Sequence, residues 1–459
     1  MSLSSAKLHN TSASPLGRYG AAADNEQLPL LSHASATPSS SSARNAIATR
    51  GDSTLIDIAN QHERNVEADP RISHEFWEML SLVYPVVVTS ALEFLPGLTC
   101  TILAGHLDSS YNKEYFANIS AYSIGFGLSS ALDTLCSQAY GAKRYDKIGI
   151  YFQSGLIVIG VCLLPIFLLN WYSEGFLLYL GQEPHVARLA QDFSRYSLPG
   201  VPFVFLYELF RKELQAQNIM QPLVVIALIG NIVTIVAGYV LAYHTGLGFD
   251  GIAIARTLGN IVLPLLLIPY FKLYPHHLTQ WWCDGWSLKE AWFHVGLFLH
   301  LGIPGMLQMV MEWWAFEIIS LMAGVLPNSL IAMSAHAVLL NVTTVLYMVF
   351  VGFSVAANIR VGNCLGANEP KKAQMVARLA MMIAVSISVF IAFALFTLPR
   401  CRQAGRRRDL ERRRLHLGIE GLWIDLGLGV IISASTLVVL FSRWKWDELT
   451  EDAQARTAK

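Results

Sequence analysis

From residue 73 onward the chain repeats one pattern: runs of about 20 apolar residues separated by short polar connections. Apolar side chains occupy all faces of these runs rather than a single stripe, which marks rods surrounded by apolar material on every side. Twenty helical residues rise about 30 Å, the thickness of a bilayer's hydrocarbon layer. The pattern predicts ten spans, at 77–104, 115–138, 149–170, 193–210, 221–243, 251–272, 295–323, 331–356, 374–397 and 420–441. The weakest is 193–210, which follows polar Gln191 and Asp192 and contains Pro199 and Pro202. Proline is tolerated in a spanning helix when neighbours satisfy the freed carbonyl. The predicted fold class is therefore an all-α polytopic membrane protein.

Residues 1–72 break the pattern. They are rich in Ser, Ala, Pro and Gly, and cannot bury enough apolar surface to fold, so a disordered tail is expected. No apolar core follows a basic start, so it does not read as a signal peptide. Glu26 to Leu31 has the spacing of an acidic-dileucine sorting signal, and equally fits a solvated tail.

Composition sharpens the picture. Charged residues make up 14% of the chain, against roughly 25% in soluble domains. The formal net charge of +0 gives no electrostatic case for nucleic acid. Six scattered cysteines without a CxxC or Cys/His cluster argue against a zinc site or a disulfide framework, and no cofactor is expected. Walker loops, GxSxG and HExxH are absent from the sequence, so an ATP-driven pump or a membrane hydrolase lacks the residues it would need.

Basic residues orient the spans. Lys143, Arg144 and Lys147 follow the second span, Arg211 and Lys212 the fourth, and Lys371 and Lys372 the eighth; the alternate connections are poor in base. Both termini are expected on the cytosolic side. The sequon at Asn118 then falls on the outer side, close to the membrane.

The two halves resemble each other. Pro85 and Gly105 recur as Pro304 and Gly324 (304 − 85 = 219), and Gly141-Ala142 recurs as Gly366-Ala367 (366 − 141 = 225). Parallel repeats of this kind build several transporter folds. The spacing then contracts: Leu247-Gly-Phe-Asp-Gly251 corresponds to Leu417-Gly-Ile-Glu-Gly421 (417 − 247 = 170), a loss equal to about two spans. Between them stand eight arginines from Arg400 to Arg414, a run foreign to a membrane segment; a solvated basic loop is the plainer reading. The expected organisation is a cytosolic tail at 1–72, a six-helix bundle at 73–272 and a cytosolic linker at 273–294. An incomplete second bundle follows at 295–443, with the Arg-rich insert at 400–414, and a cytosolic tail at 444–459.

Four segments carry a family resemblance: GFGLSSALDTLCSQAYGAKRYDKIGIYFQ (125–153), PGMLQMVMEWWAFEIISLMAGVLPN (304–328), GFSVAANIRVGNCLGANEPKKA (352–373) and GIEGLWIDLGLGV (418–430). With them the chain resembles the multidrug and toxic compound extrusion (MATE) transporters of the eukaryotic type. Its Ser-rich N-terminus is similar to that of fungal members. The resemblance implies twelve core helices in two bundles facing a central cavity, with the tenth and eleventh missing here.

Ionisable residues inside spans are costly, from about 3 kcal/mol upward at mid-bilayer, and are functional candidates. Glu93, Asp133, Glu208, Glu312 and Glu317 stand out. Glu208 lies within a turn of Arg211 and Lys212, which favours an ion pair. Asp133 is divided between structural hydrogen bonding and function, and Glu93 is a cavity candidate. Glu312 and Glu317 flank Trp313-Trp314 in mid-span, about 140° apart on a helix. Burial disfavours a carboxylate's charged form, so a buried glutamate can exchange a proton near neutral pH. The alternative is a protonated glutamate bonded to a neighbouring helix. The resemblance implies that proton coupling and substrate binding lie in this EWWxxE segment. Trp313 and Trp314 offer faces for an organic cation, worth about 1–2 kcal/mol when desolvated, although packing is the commoner use of such rings. Asn341 and Tyr347 are cavity candidates by resemblance. Some multidrug members carry a glutamate where Asn341 stands, and an asparagine takes up no proton.

The expected function is export of organic cations or other amphiphilic solutes in exchange for H⁺, or Na⁺, by rocking of two bundles in a vacuolar or plasma membrane. The expected partners are a small-molecule substrate, the coupling ion and the lipid bilayer, with no nucleic acid, and a monomer. The alternatives are a truncated or mis-spliced chain that does not transport, and a lipid flippase on a related fold.

Overall fold

The computed structural model describes residues 72–105, 121–179, 184–282, 285–325, 329–403, 431, 434–436, 438–439 and 441–458. The dileucine segment, the sequon at Asn118, the arginines from Arg406 to Arg414 and most of the 420–441 span lie outside the described residues.

Among the described residues, regular structure is helical throughout. α1 (Ile72–Gly105) is followed by α2 (Ser123–Ser129), α3 (Ala131–Gly141), α4 (Tyr145–Trp171), α5 (Ser173–Tyr179) and α6 (Pro184–Ser197). Then come α7 (Val201–Ala216), α8 (Gln221–Tyr243), α9 (Phe249–Leu273) and the short α10 (His276–Thr279). The remainder are α11 (Leu288–Val325), α12 (Ser329–Gly366), α13 (Pro370–Gln403) and α14 (Trp446–Ala458).

The predicted span 221–243 coincides with α8. Its Pro222 stands in the first turn, where a backbone N–H has no intrahelical partner to lose. The predicted span 193–210, drawn as one rod, is two helices: α6 ends at Ser197, Leu198–Gly200 form a 3-10 turn, and α7 begins at Val201. Pro199 lacks the amide a continuous helix needs there, and its ring crowds the preceding turn. Seven described helices contain a stretch long and apolar enough to cross a bilayer. Of the ten expected spans, the second is interrupted at Ser130, the fourth at Leu198–Gly200, and the last lies mostly beyond the described residues.

Helices from the two sequence repeats interleave. α11 packs along α2 and α4, while α12 packs along α3 and α1. The Gly-Ala turns seen in the sequence meet each other at the α3–α12 crossing. A Cβ at Gly141 would strike the Asn363 carbonyl oxygen, and a Cβ at Gly366 would strike that of Gln138. Both pairs are matched by the same shift of 225 (363 − 138 = 225), so the contact is reciprocal about a local pseudo-two-fold axis. The helix ends repeat as well. Arg144 N–H donates to Ala139 O at 2.9 Å, and Glu369 N–H donates to Cys364 O at 2.9 Å. These six-to-one bonds pass over a left-handed residue in each case, Lys143 (φ 58°) and Asn368 (φ 63°). The repeat legible in the sequence is thus also a repeat of backbone geometry.

The main buried cluster joins α3, α4, α7 and α11 through Leu132, Leu135, Tyr151, Phe152, Phe205 and Phe298. Away from it, Leu164, Leu168, Phe390 and Phe393 are each more than half exposed, as expected of rods solvated by lipid tails.

Candidate functional site

A cavity of about 580 Å³ opens between α1, α7, α8 and α9 on one side and α11 and α12 on the other. Its walls carry four acids, Glu93, Glu208, Glu312 and Glu317, against two bases, Arg211 and Arg256. Aromatic rings from Tyr122, Phe126, Phe193, Phe249, Trp313 and Phe316 complete much of the lining. A concave, mostly apolar chamber with a few converging polar groups is the usual form of a small-molecule site.

Of the residues singled out in the sequence, Glu93, Glu312, Trp313, Glu317, Asn341 and Tyr347 all line this cavity. Glu312, Trp313, Phe316 and Glu317 occupy one sector of α11 about 140° wide, at 100° per residue. Trp314, expected in the cavity, falls outside that sector, about 200° from Glu312, and its residue is 47% exposed on the other side of the helix. Asp133 is not among the lining residues either; its carboxylate is held by Lys212 Nζ at 2.7 Å.

On the α12 wall the Tyr347 hydroxyl is hydrogen-bonded to the Glu312 carboxyl, linking two helices across the chamber's edge. Asn341 donates its side-chain amide to Ala337 O, one turn back on its own helix, at 2.9 Å.

On the opposite wall five charges form one network. Arg211 Nη1 bonds Glu93 at 2.7 Å, while its Nε and Nη2 grip both oxygens of Glu208 at 2.8 and 2.7 Å. Lys212 bonds Asp133 and lies 3.9 Å from Glu208. The ion pair expected between Glu208 and Arg211 is therefore present, and Glu93, expected simply as a cavity residue, is its third member. Such a guanidinium fork is planar and preorganised, and suits two carboxylates at once. The network ties α1, α3 and α7 together.

Sequence reasoning missed Arg256, Tyr207 and Asn231. Arg256 lies 5.6 Å over the Tyr122 ring and bonds the Cys100 thiol. An arginine within Gly251-Ile-Ala-Ile-Ala-Arg-Thr257 was as visible as the intramembrane acids, but only acids were sought. Tyr207 and Asn231 gave no signal of their own, because a polar residue in an apolar run does not say which way it faces.

Comparison with known proteins decides the family. Residues 85–240 and 304–401 match the MatE family model, more than half of the chain. The chain belongs to the MatE family. Relatives include the multidrug and toxin extrusion protein 1 of Oryctolagus cuniculus, 34% identical over 330 residues, which cover 70% of this chain and 57% of that protein. Protein DETOXIFICATION 16 of Arabidopsis thaliana is 32% identical over 332 residues, covering 71% of this chain and 68% of that protein. The chain thus spans little more than half the length of the animal relatives it matches. Among solved structures, the eukaryotic MATE transporter AtDTX14 shares the fold with a TM-score of 0.74 at 22% identity, covering 84% of this chain and 99% of that one. This MatE protein is a multi-pass integral membrane protein, and its fold is that of MATE transporters.

Proposed function

We propose that the chain is a secondary active antiporter that exports organic cations and other amphiphilic solutes in exchange for protons. One observation carries the reading. The cavity lies between α1, α7, α8 and α9 on one wall and α11 and α12 on the other, and the second wall presents Glu312, Glu317 and Trp313 together. An excess of acids over bases in a low-dielectric chamber attracts cations, and an aromatic face beside a carboxylate suits an organic one. A carboxylate there binds a proton or a cationic substrate but gains little from both, and that competition is what exchange requires. The family and the names of its relatives support the same reading.

In this scheme residues 73–272 and 295–443 are the two bodies that rock, and the α3–α12 crossing is the seam that parts. The linker 273–294, the basic connections and both termini face the cytosol; the membrane is vacuolar or plasma, the coupling ion H⁺ rather than Na⁺, and the working unit a monomer. Trp313, Asn341 and Tyr347 contact substrate, with Glu312 and Glu317 exchanging the proton. The test is uptake of a fluorescent organic cation into vesicles bearing the full chain, under an imposed pH gradient. The Glu312→Gln, Glu317→Gln double variant is expected to abolish gradient-driven uptake; undiminished uptake refutes the assignment.

A second reading has an observation of its own. The bilayer-length stretches of α11, α12 and α13 are 17%, 11% and 11% buried, against 39–44% for those of α1, α4, α8 and α9. The later helices are less enclosed, as a bundle short of two helices would be. Under this reading the chain binds solute without carrying it across. Binding of the fluorescent cation without gradient-driven uptake is the result that favours it.

A further inference from the structure

Three polar groups at the α1–α8 side of the cavity have no role in the scheme above. Asn231 on α8 is 4% exposed, and its side-chain nitrogen donates to Leu92 O at 2.7 Å and to Ala227 O at 2.8 Å. Two carbonyls on that side fix the amide's orientation, since a flipped amide would set oxygen against oxygen. Its Oδ1 is left without a hydrogen-bond partner among the described residues. Leu92 precedes Glu93, so this orphaned acceptor lies beside the segment of α1 that carries the carboxylate. Tyr207 on α7 is 3% exposed, and its hydroxyl also lacks a partner among the described residues. Glu93, Glu208 and Arg211 are its charged neighbours. All three of Glu93, Tyr207 and Asn231 line the cavity.

The charge network supplies the sign. Its three carboxylates, Glu93, Asp133 and Glu208, face two cations, Arg211 and Lys212, leaving one negative charge in excess when all are ionised. Glu208 and Asp133 side chains are 4% and 12% exposed, whereas that of Glu93 is 31% exposed. The excess is therefore presented to the cavity through Glu93.

Resting on the antiporter reading, we propose that Glu93, Tyr207 and Asn231 form a subsite for an organic cation that carries N–H donors, an ammonium or guanidinium head. A buried acceptor or hydroxyl without a partner is penalised, and a donor that reaches it removes the penalty. A quaternary ammonium satisfies the charge but has no N–H to offer. The subsite thus separates two kinds of cation that the Glu312–Trp313–Glu317 wall, acting through charge and aromatic faces, treats alike.

A matched pair of probes tests this: benzylguanidinium and benzyltrimethylammonium, which share an aromatic body and a single positive charge. Equilibrium binding of each is measured on the purified full chain. Tyr207→Phe and Asn231→Ala are each expected to weaken benzylguanidinium about 3- to 10-fold, with benzyltrimethylammonium changed by less than about 2-fold. Asn231→Ala also removes the link from α8 to α1, so Tyr207→Phe, which deletes only an oxygen, carries the test if the former does not fold. Equal weakening of both probes overturns the proposal, as does unchanged benzylguanidinium binding. Displacement of benzylguanidinium by Na⁺ but not by K⁺ also overturns it, assigning the acceptors to an alkali ion. If the unaltered chain binds neither probe, it is the antiporter reading that fails, and the subsite with it.

Discussion

Replacing Gly141 by alanine places a methyl group in the α3–α12 seam. The added carbon would lie 2.9 Å from Asn363 Cα and would also strike the neighbouring carbonyl oxygen. Carbon atoms pack at about 3.5–4.0 Å, so the helices must part locally by roughly 0.6–1.1 Å. The obstructing atoms are backbone and cannot rotate aside. Overpacking of this kind costs about 1–3 kcal/mol. If the seam closes in one state of a rocking cycle and opens in the other, that cost falls on the closed state alone and shifts the balance about 5- to 150-fold toward the open one. Hydrogen exchange read by mass spectrometry over 138–144 and 363–369 should accelerate within that range, and gradient-driven uptake should fall. Gly160→Ala on α4 is the control, since its methyl would meet nothing within 4 Å, and it should leave both readouts unchanged. Because the contact is reciprocal, Gly366→Ala should act alike, and the double variant should add less than the sum of the two. Normal exchange and normal uptake in Gly141→Ala would refute the argument that this crossing is a working seam.

Two further outcomes follow from the charges. Arg211→Met strands Glu93 and Glu208 in a largely buried setting, where breaking an ion pair costs about 3–5 kcal/mol. The apparent melting temperature in detergent should drop sharply, and adding Glu208→Gln should restore part of it; no drop would show the network to be solvated. Outside the spans, burial and then the neighbouring His276 hold the His277 imidazole below its ordinary value of 6.5. Its neutral form accepts from or donates to the Tyr270 hydroxyl at 2.5 Å. With the folded value depressed, this contribution to stability is complete above pH 6.5 and is lost as pH falls through the lower folded value. His277→Phe should therefore flatten the decline in melting temperature between pH 7 and pH 5, and an unchanged slope would show that other groups set it.

Much of the fold was legible because a bilayer imposes length and apolarity together, and α8 follows its hydropathy run to the residue. The seam was legible as well, since glycine at matched positions of a repeat reports close backbone approach. The broken fourth span was harder to draw: Pro199 and Pro202 announced a distortion but not whether the chain would kink or restart. Within the site, Glu312, Trp313 and Glu317 were found because EWWxxE concentrates acid and aromatic character in one turn and a half. Trp314 shows the limit of that reasoning, since adjacency in sequence is 100° on a helix, and only neighbouring helices decide which sector faces inward. Glu93 was identified as an intramembrane acid, yet its partner Arg211 stands 118 residues away, a pairing that only the tertiary arrangement supplies.

Glu75, near the start of α1, is 3% exposed and is neutralised by Arg360 on α12 at 2.5 Å and by Lys372 on α13 at 3.2 Å. Its principal counter-charge lies 285 residues downstream. A ribosome adding about 5–20 residues per second needs some tens of seconds to deliver it. For that interval the nascent α1 carries an acid with no mate, so its upper turns must wait near the headgroups or be shielded by the insertion machinery. Premature termination anywhere before Arg360 would strand that charge for good, leaving a fragment marked for disposal by the cell's membrane quality control.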